Sequence, residues 1–111
     1  MINELREYRA SRDTVDRLHE RFERHVLSLF AQHGITVLGF WTDAEDPTRV
    51  IYLTRFTDEA ERDRCWAGFR DDPEWHAVKA ASESNGPLTV GIESRTLRPV
   101  PYWPAGEGVL R

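Results

Sequence analysis

The chain has 111 residues, with 15 lysines and arginines against 19 aspartates and glutamates, which gives a formal net charge of −4. This length predicts one domain, because a second hydrophobic core does not fit into so short a chain. The acidic balance argues against a nucleic-acid or membrane-surface partner held by a basic field. No apolar run approaches the ~20 residues of a membrane helix, and the first residues are charged where a signal peptide is apolar. We therefore expect a cytoplasmic protein.

The chain begins with a segment that predicts a strand of mixed character. Residues 2–9 alternate so that Glu4, Arg6 and Tyr8 point to one side and Leu5 points to the other. If Leu5 packs beneath helices, the three polar side chains lie on the opposite face of the sheet.

A long amphipathic helix follows and is predicted to end near His33. Ser11 and Asp13 are suitable N-caps, and Gly34 supplies the left-handed residue that commonly ends a helix. The apolar residues of this helix keep the helical spacing of three and four: Val15, Leu18, Phe22, Val26, Leu29 and Phe30.

The middle of the chain predicts a hairpin. Segments 35–41 and 50–56 are rich in β-branched and aromatic residues, and the polar stretch 43–47 between them predicts a turn. On the first strand, simple alternation predicts that one side carries Ile35, Val37 and Trp41 and that the other side carries Leu38 and Phe40. On the second strand, it predicts that one side carries Val50, Tyr52 and Phe56 and that the other side carries Ile51 and Leu53. Both faces of the hairpin are therefore apolar.

The last part of the chain predicts a broken helix and a strand. Thr57 is a suitable N-cap for the helix, which Asp72 and Pro73 interrupt and restart as N-cap and first helical residue. The second helical segment is predicted to end near residues 85–86, and residues 88–97 predict the last strand.

The predicted order of elements is therefore β-α-β-β-α-β. It predicts an α+β, ferredoxin-like fold, with one four-stranded antiparallel sheet and both helices on one face. The domain spans residues 1–98, and the proline-containing tail 99–111 is predicted to be extended.

The second apolar face of the hairpin predicts a homodimer. In a sheet whose helices cover one face, the other face is expected to be polar, but here it is not. Leaving it in water exposes an apolar patch larger than monomers usually show. A second copy that covers this face removes the problem, and two-fold dimers are the commonest oligomers. The polar residues of the first strand then point into the dimer interior.

Several stretches spread along the chain resemble one protein family. They are Glu4-Leu5-Arg6-Glu7-Tyr8, Val37-Leu38-Gly39-Phe40-Trp41, Val50-Ile51-Tyr52-Leu53, Asp71-Asp72-Pro73-Glu74-Trp75, Ile92-Glu93-Ser94 and Pro99-Val100-Pro101-Tyr102. With these stretches the chain resembles the NIPSNAP family, within the ferredoxin-like dimeric α+β barrel superfamily. The resemblance implies the fold and the dimer, and it implies little about chemistry. The wider superfamily includes cofactor-independent monooxygenases, isomerases and cyclases of aromatic polyketides, haem-degrading enzymes and plain ligand binders.

The first strand carries the clearest candidate chemistry. Glu4 is the candidate proton acceptor, because a carboxylate taken out of water becomes a stronger base. Arg6 is the candidate group that stabilises an enolate or phenolate as it forms. The candidate walls for a planar substrate are Tyr8, Trp41 and Tyr52.

Two alternatives stay open for these residues. A Glu–Arg pair also forms for purely structural reasons, here to stabilise the dimer or at an exposed edge. Glu93 and Arg95 repeat the alternation on the last strand, so Glu93 is a second candidate proton acceptor. A bulge in that strand would place it on the other face.

The second helix adds Trp66 and His76 as candidate substrate contacts. Haem-degrading relatives use an Asn on the first strand with a Trp and a His on the second helix. The resemblance therefore makes haem binding a minor alternative, through Asn3, Trp66 and His76. The break at Asp72 shifts the helical phase before His76, and Asn3 faces with Leu5, away from Glu4. No bound cofactor is expected.

Other classes of site have little support in the sequence. The spacing of six and eight between His19, His25 and His33 is not that of a metal pair on one helix face, so no metal site is expected. Cys65 is the only cysteine, which excludes an internal disulfide, and it is predicted to be a buried apolar group. Nucleotide and acyl-enzyme motifs are absent.

The leading hypothesis is a small-molecule enzyme that works without a bound cofactor on an aromatic or enolisable metabolite. Its reaction would be acid/base chemistry of the monooxygenase, isomerase or cyclase type. The alternative is a non-catalytic dimeric module that binds a ligand or a protein. In that case residues 99–103 would be its contact surface or an arm over the partner subunit.

Overall fold

The computed structural model describes residues 1–103 and contains the predicted ferredoxin-like arrangement. The strands are Ile2–Arg9 (β1), Thr36–Thr42 (β2), Arg49–Phe56 (β3) and Gly91–Leu97 (β4). The helical segments are Val15–Arg21 (α1), Phe22–Val26 (π1, a π-helix), Leu27–Gln32 (α2), Glu59–Asp71 (α3) and Pro73–Ser82 (α4). All strand pairs are antiparallel, in the spatial order β2-β3-β1-β4. The predicted fold class is confirmed.

The first helix is continuous from α1 through π1 to α2, and it differs from the prediction at its start. Thr14 is the N-cap, in place of Ser11 or Asp13. The Thr14 hydroxyl accepts from the Ser11 N–H and donates to the carbonyl of Leu88, so it joins the helix start to the segment before β4. Gly34, with φ of +75°, ends the helix as predicted, because only glycine adopts this conformation without strain.

The second helix begins one residue later than predicted and breaks where predicted. The Asp58 side chain accepts from the Glu61 N–H, and the Glu61 side chain accepts from the Thr57 N–H, which is a reciprocal capping arrangement. Asp72 caps α4 by accepting from the Glu74 N–H, with Pro73 in the first turn.

Strand β3 shows which face of the sheet the helices cover. Its alternate residues Val50, Tyr52, Thr54 and Phe56 are buried, whereas the intervening side chains are only partly buried. The buried residues contact the helices through aromatic pairs such as Phe30 with Tyr52 and Trp66 with Phe56. We call the other side, which carries Leu5, Ile51 and Leu53, the open face.

A β-bulge in β2 corrects the predicted division of that strand. Val37 pairs with Thr54 and Gly39 pairs with Leu53, so Leu38 is an extra residue. Beyond the bulge the alternation is inverted, and Phe40 stacks on Tyr52 on the helix side (4.6 Å between ring centroids). Val37 and Phe40 thus share a face, contrary to the prediction.

Trp41 follows the bulge and lies on the open face, 53% exposed. A Cβ on Gly39 would overlap the indole of Trp41, so a larger residue at this position would displace the ring.

The last strand and the tail also differ from the prediction. β4 begins at Gly91 in place of residue 88, and Leu88 is buried ahead of it. The Trp103 N–H donates to the Val100 carbonyl (3.1 Å), which closes a turn where an extended tail was expected. Residues 104–111 of the predicted tail lie outside the described residues.

Candidate functional site

A polar cluster lies between the sheet and the helices. It consists of Glu4, Arg6 and Tyr8 on β1, Tyr52 on β3 and Trp66 on α3. Arg6 is directly opposite Tyr52 in the register of the sheet, which brings their side chains together on the helix face. The condition that Leu5 packs beneath the helices is not met, because Leu5 pairs with Leu53 on the open face. The three polar side chains of β1 therefore face the helices of their own chain, not the interior of a dimer.

Arg6 is the centre of the polar cluster. Its Nε donates to the hydroxyl of Tyr52 (2.9 Å), and its two terminal nitrogens donate to Glu4 (3.1 Å) and to the hydroxyl of Tyr8 (3.3 Å). The guanidinium carbon lies 4.4 Å from the centroid of the Trp66 ring, which is cation–π geometry. The guanidinium is therefore fixed by charge, by hydrogen bonds and by stacking.

Glu4 has both carboxylate oxygens occupied. One accepts from the indole N–H of Trp66 at 2.8 Å, and the other accepts from Arg6 at 3.1 Å. The residue is 5% exposed, so its charge is compensated within the protein, not by water.

The environment of the polar cluster fixes the protonation of two of its members. Burial raises the pKa of the Tyr52 hydroxyl well above its usual value, with Tyr8 adding to the effect and Arg6 opposing it. Burial lowers the pKa of Arg6, but Tyr52 and Tyr8 raise it by more, so the net effect is an increase. At neutral pH Tyr52 is an uncharged donor and Arg6 is a cation.

A cavity of about 310 Å³ opens beside Tyr8, and we call it the Tyr8 cavity. Its lining residues come from β1, π1, the second helix and the segment leading into β4, with Arg21 from the end of α1: Tyr8, Arg21, Val26, Phe69, Trp75, Lys79, Glu83, Pro87, Thr89 and Ile92. Tyr8 is the member of the polar cluster among these residues. Its hydroxyl oxygen accepts from Arg6 and from Tyr52 (3.2 Å), so neither of these contacts uses the hydroxyl proton of Tyr8.

Apart from Tyr8, the lining residues of this cavity were not predicted as site residues. Arg21, on the buried side of the first helix, is only 6% exposed, and Trp75 and Lys79 lie one turn apart on α4. The Arg21 guanidinium carbon lies 5.1 Å from the centroid of the Trp75 ring. One sign was present in the sequence: Arg21 is three residues from Leu18 and adjacent to Phe22, on the apolar arc of the helix.

Three of the predicted site residues lie away from the polar cluster. Glu93 pairs with Glu7 across the sheet and therefore lies on the open face, opposite to Glu4. Trp41 is also on the open face, so it does not join Tyr8 and Tyr52 in one wall. His76 is exposed on α4, where its ring nitrogen is 2.6 Å from the carbonyl of Arg70.

The residues of the haem alternative do not converge. Asn3 alternates with Glu4 on β1 and donates its side-chain amide to the carbonyl of Thr54 (3.1 Å). Trp66 is committed to Glu4 on the other side of the sheet, and His76 contacts Arg70 at the surface.

Cys65 is partly buried. Burial raises the pKa of its thiol, and the nearby Glu61 adds to this, while Arg64 opposes it. These surroundings disfavour the thiolate that a nucleophile requires.

Residues 1–103 contain neither a metal-binding cluster nor a membrane-spanning helix. No three acidic, histidine or cysteine side chains in this range stand close enough together to hold a metal ion. No helix in the same range has the length and apolar character needed to cross a membrane.

Comparison with known protein families identifies the family to which the chain belongs. The model of the NIPSNAP family matches residues 3–104, which is nearly the whole sequence. The chain belongs to the NIPSNAP family. No curated protein matches this NIPSNAP chain.

Solved structures give the same fold. An uncharacterized NIPSNAP-like domain protein from Burkholderia xenovorans is similar, with a TM-score of 0.80 and 23% identity over 94% of this chain and 89% of that one. A NIPSNAP family protein from Agrobacterium tumefaciens has a TM-score of 0.79 and 19% identity over 91% and 94% of the two chains. An antibiotic biosynthesis monooxygenase has a TM-score of 0.66 and 12% identity over 91% of this NIPSNAP chain and 100% of its own. At these identities the likeness concerns the fold.

Proposed function

We propose that this NIPSNAP protein is a small-molecule enzyme that binds an aromatic or enolisable metabolite in the Tyr8 cavity and acts on it by acid/base chemistry. The observation that carries the proposal is the Tyr8 hydroxyl, whose oxygen accepts from Arg6 and Tyr52 while the residue lines the cavity. Transfer of a proton from an enolisable carbon needs a base and a donor for the resulting oxyanion. It needs no bound cofactor, so the proposal includes none.

The residues of the cavity divide these roles. Tyr8 donates its proton in a hydrogen bond to the developing enolate or phenolate oxygen, and Arg6 and Tyr52 are positioning residues that hold Tyr8 for this contact. Glu83 is the carboxylate among the lining residues, so it replaces Glu4 and Glu93 as the proposed proton acceptor. Trp75 and Phe69, stacked with 4.9 Å between centroids, supply an aromatic wall.

The first experiment is native mass spectrometry of protein purified without stripping, which identifies a retained small molecule. Incubation of that molecule with the protein in D₂O then measures deuterium incorporation at its acidic carbon. We expect incorporation that Glu83→Gln abolishes, because the amide cannot accept the proton. Absence of incorporation with the unmodified protein would contradict acid/base catalysis.

Tyr8→Phe tests the role of the hydroxyl. We expect the rate of exchange to fall by about 10²- to 10³-fold, as for loss of one donor to an oxyanion. Tyr102→Phe is the matched control, because Tyr102 is 84% exposed on the tail. Equal rates for the two variants would remove Tyr8 from the mechanism.

A non-catalytic binding module is the second candidate, and the state of Glu4 favours it. Both oxygens of this carboxylate already accept hydrogen bonds from Trp66 and Arg6, which is also what a purely structural pair requires. Retention of a ligand that the protein leaves unexchanged in D₂O would support this candidate.

We also propose that two copies associate through their open faces. Leu5, Ile51 and Leu53 are only partly buried there, and Trp41 lies on the same side. These four apolar side chains form a patch that monomers seldom leave in water. Light scattering on Leu53→Arg should report a monomer where the unmodified protein is a dimer. Leu27→Arg, at an exposed position of α2, is the matched control and should remain dimeric.

The cytoplasmic location stays a prediction. Fractionation of the producing cells, with immunodetection of the protein in each fraction, tests it.

A further inference from the structure

Arg21 stands between two cavities. It lines the Tyr8 cavity, and it also lines an outer groove of about 570 Å³ between the first helix and α4. Arginine is rarely buried to 6% exposure unless its charge is paired. Each N–H donor of a guanidinium at this position is therefore expected to have a hydrogen-bond partner.

Only part of the Arg21 fork is used by the protein. Nη1 donates to the hydroxyl of Ser82 (3.1 Å) and to a carboxylate oxygen of Glu83 (2.9 Å). A guanidinium has five N–H groups, so Nε and Nη2 retain three that have no hydrogen-bond partner among residues 1–103. These donors belong to a residue that forms the wall of both cavities.

The surroundings hold the guanidinium in place and favour an anion. The Trp75 ring lies against one side of it at 5.1 Å, and Ser82 and Glu83 fix one nitrogen. Within the Tyr8 cavity the charge of Glu83 offsets that of Arg21, which leaves the ammonium of Lys79 in excess. An arginine with an open edge binds a carboxylate bidentately, which is the strongest neutralising contact it makes.

We propose that Arg21 anchors the carboxylate of a planar carboxylic acid bound in the Tyr8 cavity. The ring of this ligand lies in the cavity near Trp75, and its carboxylate accepts from the unpartnered edge of Arg21. This inference rests on the proposed function, since it names the substrate class of the same cavity. It makes Arg21 the residue that selects acids over neutral compounds.

A pair of isosteric probes tests the proposal by calorimetry. Naphthalene-2-carboxylate and 2-naphthamide have the same ring and differ in charge. We expect the carboxylate to bind at least about tenfold more tightly, which is what one charge-assisted hydrogen bond contributes. Equal affinity for the two probes overturns the anchor.

Variants of Arg21 locate the selectivity. Arg21→Gln should lose the preference for the carboxylate while binding the amide as the unmodified protein does. Arg21→Lys should recover part of the preference, because it keeps the charge and loses the fork. If Arg21→Gln does not fold, Glu83→Gln is the second variant. It retains a hydrogen-bond acceptor for Arg21 and removes a negative charge. It should therefore tighten binding of the carboxylate and leave binding of the amide unchanged. No change of the carboxylate affinity in Glu83→Gln overturns the anchor.

Two further variants separate this inference from the proposed function. Arg17 lines the outer groove and not the Tyr8 cavity, so Arg17→Gln should leave the preference unchanged. Tyr8→Phe should weaken binding of both probes. A preference lost in Arg17→Gln, together with affinities that Tyr8→Phe leaves unchanged, places the anion in the outer groove and overturns the inference. Equal affinity for both probes, weakened alike by Tyr8→Phe, removes the anchor and leaves the proposed function standing. Absence of binding by both probes overturns the anchor and removes planar aromatic compounds from the proposed function.

Discussion

Strand β1 takes part in a glutamate–arginine pair on each face of the sheet, and the surroundings of the two pairs differ. On the helix face, Arg6 and Glu4 are 3.1 Å apart, with side chains 18% and 7% exposed. On the open face, Arg9 and Glu93 of β4 are 3.6 Å apart, with side chains 42% and 68% exposed. The residue types are the same, but the side chains of the second pair are much more exposed.

The difference shows that position, and not residue type, decides what such a pair does. The buried pair is completed by Trp66 and Tyr52, so removal of one partner leaves a charge that water cannot reach. The exposed pair is screened by solvent and pays the entropy of holding two long side chains. Only the buried pair can therefore hold a neighbouring group, here Tyr8, in a fixed position.

The largest expected effect is that of Arg6→Met. It leaves the carboxylate of Glu4 buried without its cation, so we expect the free energy of unfolding to fall by about 3–5 kcal/mol. Urea denaturation measures the change. Arg9→Met is the matched control on the open face, with an expected change below about 1 kcal/mol. Similar losses in the two variants would abolish the distinction between the faces.

A pair of intermediate burial gives a smaller effect that depends on pH. Nε2 of His33 lies 2.7 Å from a carboxylate oxygen of Asp72, and the side chains are 23% and 17% exposed. The hydrogen bond from His33, followed by that from the N–H of Glu74, lowers the pKa of Asp72 below its ordinary value of 3.8. The folded state thus binds this proton less readily than the unfolded state. The stabilisation is complete above pH 3.8 and is lost as the pH falls through the folded pKa.

Asp72→Asn tests this dependence. Asparagine still caps α4, but it does not titrate. The melting temperature of the variant should therefore fall less than that of the unmodified protein between about pH 4 and about pH 2. If the melting temperatures of the two proteins fall equally over this range, Asp72 does not contribute to the acid sensitivity.

The elements of the fold were predictable because they depend on local patterns. The spacing of apolar residues on the first helix, the stop at Gly34 and the break at Pro73 all act within a few residues of themselves. The bulge at Leu38 was missed because one inserted residue leaves no mark in the alternation. It becomes visible only against the register of β3.

The candidate site was predictable in part for the same reason. Alternation indicates that Glu4, Arg6 and Tyr8 share a face, but it does not indicate which face the helices cover. That choice depends on packing across the whole sheet, so the sequence left it as a condition on where Leu5 packs. Arg21 was missed because a charge on an apolar arc has a meaning only once its partners Ser82 and Glu83 are known, some sixty residues later in the chain.

The smallest expected effect is that of Glu93→Gln, which removes the exposed pair. In the isolated chain we expect a change within about 0.5 kcal/mol, and 1 M salt should erase even that. Nε of Arg9 is, however, already buried without a hydrogen-bond partner among residues 1–103. In the proposed dimer, a second copy on the open face would also enclose the carboxylate of Glu93. Denaturation of Glu93→Gln at low and high protein concentration separates the two situations. A loss that appears only at high concentration means that dimerisation turns the exposed pair into a buried one. A loss that is small at both concentrations keeps the two faces of β1 as different as they are in the single chain.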